Sequence, residues 1–172
     1  MHLIIMENVT YGLNPTQVYD IKGSLRGRTA FKGGIKEGPY KDLDFKRMET
    51  SLEVSDDLVD VILGALVKEI RLLRSHNLID YSLLICISPN QGTINRKSHL
   101  SVGENTIYTF VVIDYLTKYD YFKFLEEKFS RKDASVKKPR DYANRFINYI
   151  FSIIFKSERN SSSFLRPISG SY

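Results

Sequence analysis

Between Ser55 and Asn77 the apolar residues Val59, Ile62, Leu66, Ile70 and Leu73 recur at helical spacing. No other feature constrains the fold as much. The stripe predicts one long amphipathic helix, and a helix with a single apolar face needs a second layer to cover it. Ser55 stands at the cap position, and Asp56 and Asp57 fall in the first turn, where they complement the helix dipole. The covering layer is written on either side. Residues 17–22 alternate as a strand, and residues 82–88 and 106–114 read as two more. These last two are joined by a polar connection containing Pro89, Asn90, Gly92, Asn95 and Gly103, which suggests a long hairpin. Residues 2–6 read as another short strand, and the glycines between positions 23 and 38 mark turns. Further helices are predicted over 117–128 and 139–155, with Pro139 suited to a first turn. The order is that of an α+β fold.

At 172 residues, with 42% apolar and 26% charged, the chain can bury its own core and lies outside the disordered and collagen-like classes. A single cysteine, Cys86, excludes an intramolecular disulfide framework and a cysteine-rich zinc site, and its apolar neighbours predict a buried, unreactive thiol. No apolar run approaches the roughly 18 residues of a membrane span, and the first residues do not read as a signal peptide. The expectation is a soluble intracellular domain over residues 1–156, with a serine-rich tail at 157–172 that reads as disordered.

The formal charge is +5, and its placement says more than its size. Residues 20–36 carry five bases and one acid, residues 37–60 eight acids and three bases, and residues 123–140 seven bases and three acids. Two basic segments could converge on one anionic surface, or each could be a solvated loop.

The chemistry-bearing residues are carboxylates. No Walker-type phosphate loop and no His-Glu-x-x-His occurs, and the three histidines are scattered. Asp80 lies on a turn between the long helix and the strand beginning at Ser82. Asp114 closes the apolar run 110–113. If those strands pair as a hairpin, the start of one lies beside the end of the other, so the two acids become neighbours at a sheet rim. Such a pair fits magnesium-dependent phosphoryl transfer, one acid holding metal and one receiving the acceptor's proton. Equally, both could be ordinary turn residues. Lys22 ends another strand at a glycine, where a flexible ammonium can approach phosphate oxygens.

These residues fall within motifs. Tyr19-Asp20-Ile21-Lys22-Gly23-Ser24, followed by Arg26 and Arg28, resembles the Asp-Leu-Lys-Gly-Ser motif of phosphatidylinositol phosphate kinases. Lys41-Asp42-Leu43-Asp44-Phe45 matches a second motif of that family. Ile79-Asp80-Tyr81-Ser82-Leu83-Leu84 is similar to its Met-Asp-Tyr-Ser-Leu-Leu segment in all but the first residue. Val112-Ile113-Asp114 resembles the Ile-Ile-Asp that replaces Asp-Phe-Gly of protein kinases. Leu125-Glu126 and Tyr142-Ala143-Asn144-Arg145-Phe146 echo the segments that flank the activation loop.

The resemblance implies the C-terminal lobe of a kinase-like catalytic domain, starting at the hinge, with the N-terminal lobe missing. Asp80 would be the catalytic aspartate and Lys22 would lie near the transferring phosphate. Asp114 would hold Mg2+ against the phosphates of ATP. Met6, Glu7 and Asn8 would border adenine, with Leu84 and Ile113 as its floor. Arg26 and Arg28 are candidates for the headgroup phosphates, and Lys137 and Lys138, in the activation loop 129–138, for the membrane. The implied activity converts a phosphatidylinositol monophosphate to a bisphosphate, with the 4-phosphate 5-kinase preferred on family prevalence. Its setting would be the cytoplasm, peripherally on an anionic membrane. Two features divide on the substrate: Lys-Gly-Ser-Leu-Arg-x-Arg leans to the 3-phosphate lipid, Lys-Asp-Leu-Asp-Phe to the 4- or 5-phosphate. A kinase remnant that binds phosphoinositide membranes without catalysis is the alternative. Loss of the lobe over the hinge would leave apolar surface prone to self-association. A nucleic-acid partner has only charge and tyrosine content behind it, and the resemblance implies none.

Overall fold

In a computed structural model the described residues are 8–50, 52–90, 100–101, 105–120 and 138–156. The predicted strand 2–6, the hinge residues Met6 and Glu7, the activation-loop residues 129–137 with Lys137, and the tail 157–172 lie outside them.

The predicted helix is α2, Asp56–Ser75. Ile62, Leu63, Leu66, Val67 and Ile70 are buried along one face, as the stripe requires. Ser55 occupies the cap position, although its side chain makes no capping hydrogen bond. The helix stops at His76, and Asn77 follows with φ 56°, the left-handed residue that commonly closes a helix and that asparagine tolerates.

The layer that covers α2 is a five-stranded sheet. Its members are β1 (Gln17–Ile21), β4 (Tyr40–Lys41), β6 (Ser82–Pro89), β7 (Leu100–Ser101) and β8 (Thr106–Ile113), in the order β4-β1-β6-β8-β7. The expected hairpin is β6 against β8, antiparallel over eight residue pairs from Ser82↔Ile113 to Pro89↔Thr106. The sheet is mixed rather than wholly antiparallel, because β1 and β4 run parallel. Strand alternation sends Tyr19, Ile21, Leu83 and Ile85 into the core against α2. Asp20, Leu84, Val111 and Ile113 fall on the opposite face.

Two small ladders complete the set. β2 (Phe31–Lys32) and β3 (Ile35–Lys36) form a hairpin, and β5 (Leu78–Ile79) pairs with β9 (Thr117–Lys118). The strand β9 corrects the helix expected to begin at Thr117. Pairing with the chain just after α2 captures those residues, helped by Tyr119 N–H donating to Asn77 O at 2.8 Å. Residues 121–128 lie outside the described set. A short helix that periodicity does not reveal, α1, covers Asp42–Arg47.

The last helix, α3, runs Pro139–Tyr149 and passes into a π-helical turn, Ile150–Ile154. Its buried residues explain the change. Tyr142, Phe146, Ile150 and Ile154 recur every fourth position, as do Ala143, Ile147 and Phe151. On an α-helix a spacing of four drifts about 40° per repeat. Widening the last turn, with Phe155 N–H donating to Ile150 O at 3.0 Å, keeps the stripe on the core.

Candidate active site

The ladders decide where the two acids stand. β6 and β8 end with Ser82 opposite Ile113, and the next pairing, between β5 and β9, has Ile79 opposite Thr117. Residues 80–81 fill the gap on one side and residues 114–116 on the other, so the strands cannot stay paired across it. Asp80 and Asp114 both sit in this break. Both have left-handed backbones, φ 67° and φ 60°. That region is sparsely populated by residues other than glycine, and such conformations cluster where surrounding structure enforces them for function.

Lys22 follows β1 and reaches the same place. Its Nζ lies 3.8 Å from Asp80 Oδ1, with the lysine side chain 20% and the aspartate 47% exposed. Leu84 and Ile113, both half-buried, fall near this end of the sheet on the face away from α2. The structure therefore brings Lys22, Asp80, Asp114, Leu84 and Ile113 to one sheet end.

The other candidates are placed differently. Arg26 is exposed. Arg28 is held within the chain: Nε donates to Asp42 Oδ2 at 2.6 Å, and NH2 to the backbone and side chain of Asp20 at 3.0 and 3.2 Å. Asn8 is exposed and turns its Oδ1 to the amide and hydroxyl of Thr10. Lys138 is the exposed cap residue of α3.

Sequence reasoning missed the residue that organises this region. Asp42, in the first turn of α1, is fully buried. Its carboxylate accepts the N–H of Ser24 at 2.9 Å and of Lys22 at 3.2 Å, besides the Arg28 guanidinium. Those contacts set the course of residues 22–24. Gly23 then has φ 69°, and a Cβ there would stand 2.7 Å from the Cα of Phe146, so only glycine lets the loop lie against α3. The helix grips the site at three more points. Tyr142 Oη donates to Tyr81 O at 2.5 Å, Tyr149 Oη to Asp42 O at 2.7 Å, and Arg145 NH2 to Lys22 O at 3.4 Å. Burial, and secondarily the charge of Asp80, pushes the Tyr142 hydroxyl well above the ordinary tyrosine range, keeping it a donor. The one available signal for Asp42 was its place within the Lys41–Phe45 motif.

Cys86 is buried, and burial pushes its thiol up to about 11, as expected of an unreactive core residue.

A family model described as Phosphatidylinositol-4-phosphate 5-Kinase matches residues 1–102 and 88–153. The chain belongs to this family. Among curated relatives, a 1-phosphatidylinositol 3-phosphate 5-kinase of Mus musculus is 30% identical over 131 residues, covering 73% of this chain and 6% of that protein. The phosphatidylinositol 4-phosphate 5-kinase of Plasmodium falciparum is 26% identical, covering 77% and 10%. The type-1 beta phosphatidylinositol 4-phosphate 5-kinase of Mus musculus is 25% identical, covering 91% and 40%. The chain thus spans less than half the length of each of these three. An α+β domain with a mixed sheet is consistent with membership of this kinase family.

Proposed function

We propose that the chain carries the catalytic groups of an ATP-dependent phosphatidylinositol phosphate kinase, acting peripherally on the cytoplasmic face of an anionic membrane. One observation carries this reading. The Lys22 ammonium lies 3.8 Å from the Asp80 carboxylate at the ladder break that also bears Asp114. In the reaction Asp80 accepts the proton of the inositol hydroxyl as that oxygen bonds to the γ-phosphorus and the bond to ADP breaks. Lys22 offsets the negative charge on the transferring group and orients Asp80. Leu84 and Ile113 provide the apolar contact for the adenine ring, and Arg26 and Lys138 face the headgroup and leaflet.

The donor set fits Mg2+. This ion takes hard oxygen ligands and binds through one or two carboxylates plus substrate phosphates rather than an all-protein cage. Asp114 offers an exposed carboxylate, and the described residues hold no cluster of three or more metal-ligating side chains. Asp114 would hold the ion, which supplies charge neutralisation on the phosphates.

The 4-phosphate 5-kinase remains our preferred subclass. A specific observation favours the 3-phosphate lipid as second substrate: the 30% identical relative is named as a 3-phosphate 5-kinase. Radiolabelled ATP offered with liposomes carrying each monophosphate separates the two. Product should form on one lipid and fall 10²- to 10⁴-fold in Asp80→Asn, the span of general-base effects. Liposome binding with no product from the wild type would overturn the catalytic reading in favour of a membrane-docking kinase remnant.

A further inference from the structure

We propose that the β2–β3 hairpin is a membrane-contacting element that seats Ile35 in an anionic leaflet beside the active site. The inference rests on the membrane reading above and names the surface involved. The hairpin projects from the sheet on a two-residue turn, Gly33-Gly34, whose φ values of 57° and 84° suit the tight turn that twists with its strands. Across the ladder Phe31 opposes Lys36 and Lys32 opposes Ile35, so each face pairs an apolar residue with a cation. One face folds back on the protein: Lys36 Nζ lies 4.4 Å over the Tyr40 ring, and Phe31 stacks obliquely on it at 6.3 Å. The other face turns outward. Ile35 is 71% exposed, the most exposed large aliphatic residue among those described. Phe31, on the face that folds back, is 43% exposed.

Charge selects the partner. Residues 21–41 hold six basic residues and one acid, Glu37, which pairs with Lys32 at 2.9 Å. An exposed apolar tip set in basic surroundings fits a negative leaflet, where each nearby cation adds attraction and the apolar group enters the acyl boundary. The base of the excursion is fixed, as a wedge needs. Asp44 accepts the N–H of Ala30 at 2.6 Å and of Lys41 at 2.9 Å, and Glu37 N–H donates to Ala30 O at 2.8 Å. Arg28, two residues before Ala30, anchors the same segment to the loop bearing Lys22 through Asp42 and Asp20. A tip held in the leaflet would therefore set that loop close to lipid headgroups.

The chain contains no tryptophan, so Ile35→Trp creates a single fluorescent reporter in the full-length chain. On phosphatidylcholine vesicles carrying phosphatidylserine its emission should shift to the blue and be quenched by brominated acyl chains. Leu72→Trp, at a 59% exposed position of α2, should show neither. Ile35→Asp should weaken vesicle co-sedimentation about tenfold, near the effect of losing a partly buried aliphatic side chain. An unshifted Ile35→Trp, whether or not the protein sediments with vesicles, overturns the proposal. So does a shift that grows with protein concentration without vesicles, which would put a second copy of the chain on the hairpin. No nucleotide is present in this experiment. A chain that never phosphorylates lipid can therefore still pass it, and an active kinase with a silent reporter refutes the hairpin alone.

Discussion

Residues 20–28 and residues 31–36 lie two residues apart, both basic and both glycine-bearing, yet the structure treats them in opposite ways. In the first segment nearly every polar group has an internal partner: Asp42 takes the Lys22 and Ser24 amides and the Arg28 guanidinium, and α3 closes against Gly23. The second segment carries Lys32 and Ile35 outward on a two-residue turn, while Lys36 folds back over Tyr40. The difference lies in two acids of α1. Asp42 draws the first segment inward, whereas Asp44 fastens only the ends of the second, at Ala30 and Lys41. A basic run therefore has no fixed meaning. What matters is whether a buried carboxylate lies within reach.

The comparison is broken hardest at the acids. Asp80→Asn should lower the turnover number about a thousandfold, roughly 4 kcal/mol on the barrier, and leave thermal unfolding almost unchanged because the carboxylate is half exposed. Asp42→Ala should instead act first on stability, costing about 3 kcal/mol by leaving Arg28 with Asp20 alone and two amides without their acceptor. Urea unfolding and turnover of both variants test this crossing. If Asp80→Asn unfolds the protein as readily as Asp42→Ala, the two acids do not have distinct tasks.

A smaller effect is expected at the contact between the inward segment and α3. Gly23→Ala forces a side chain against the Phe146 backbone at a left-handed position, and about 2 kcal/mol of stability should be lost. Gly34→Ala, where a Cβ meets nothing within 4 Å, should cost only the conformational part, about 1 kcal/mol. Equal unfolding midpoints for the two would mean that the loop does not rest on the helix as described.

Legibility in the sequence followed the same division between local and distant causes. Helix α2 and the paired strands β6 and β8 declare themselves, because burial of one face imposes its period on the residues that make it. The neighbourhood of Asp80 and Asp114 followed from that hairpin. What could not be seen was what holds strands of two residues together. β2, β3 and β4 are too short for any period, and they exist because Asp44 ties Ala30 to Lys41 across ten intervening residues. Asp42 was hidden for the same reason, its donors lying 14 to 20 positions away. Thr117 was misread as the start of a helix because its strand partner, Ile79, is supplied by the chain beyond α2. Arg28 looked like a ligand residue, and only the fold shows both carboxyl groups that already engage it.

Asp44 offers the gentlest way to separate the two segments, through pH. Burial alone would raise its pKa, but hydrogen bonds from Thr29, Ala30 and Lys41 outweigh that and hold the folded value below the ordinary 3.8. A depressed folded value means that its contribution is complete above about pH 4 and is lost as the pH falls through the folded pKa. Acid should therefore loosen the hairpin base through this group without touching the Gly23 contact. Asp44→Asn removes the linkage: stability at neutral pH should drop by about 1 kcal/mol, the worth of a net hydrogen bond, and the decline with acid should become shallower. Amide exchange at Ala30 and Lys41 should quicken in the variant at neutral pH, while that at Ser24, held by Asp42, should not. Quickening at all three would show that α1 holds both segments as one unit, and the contrast between them would then be one of exposure alone.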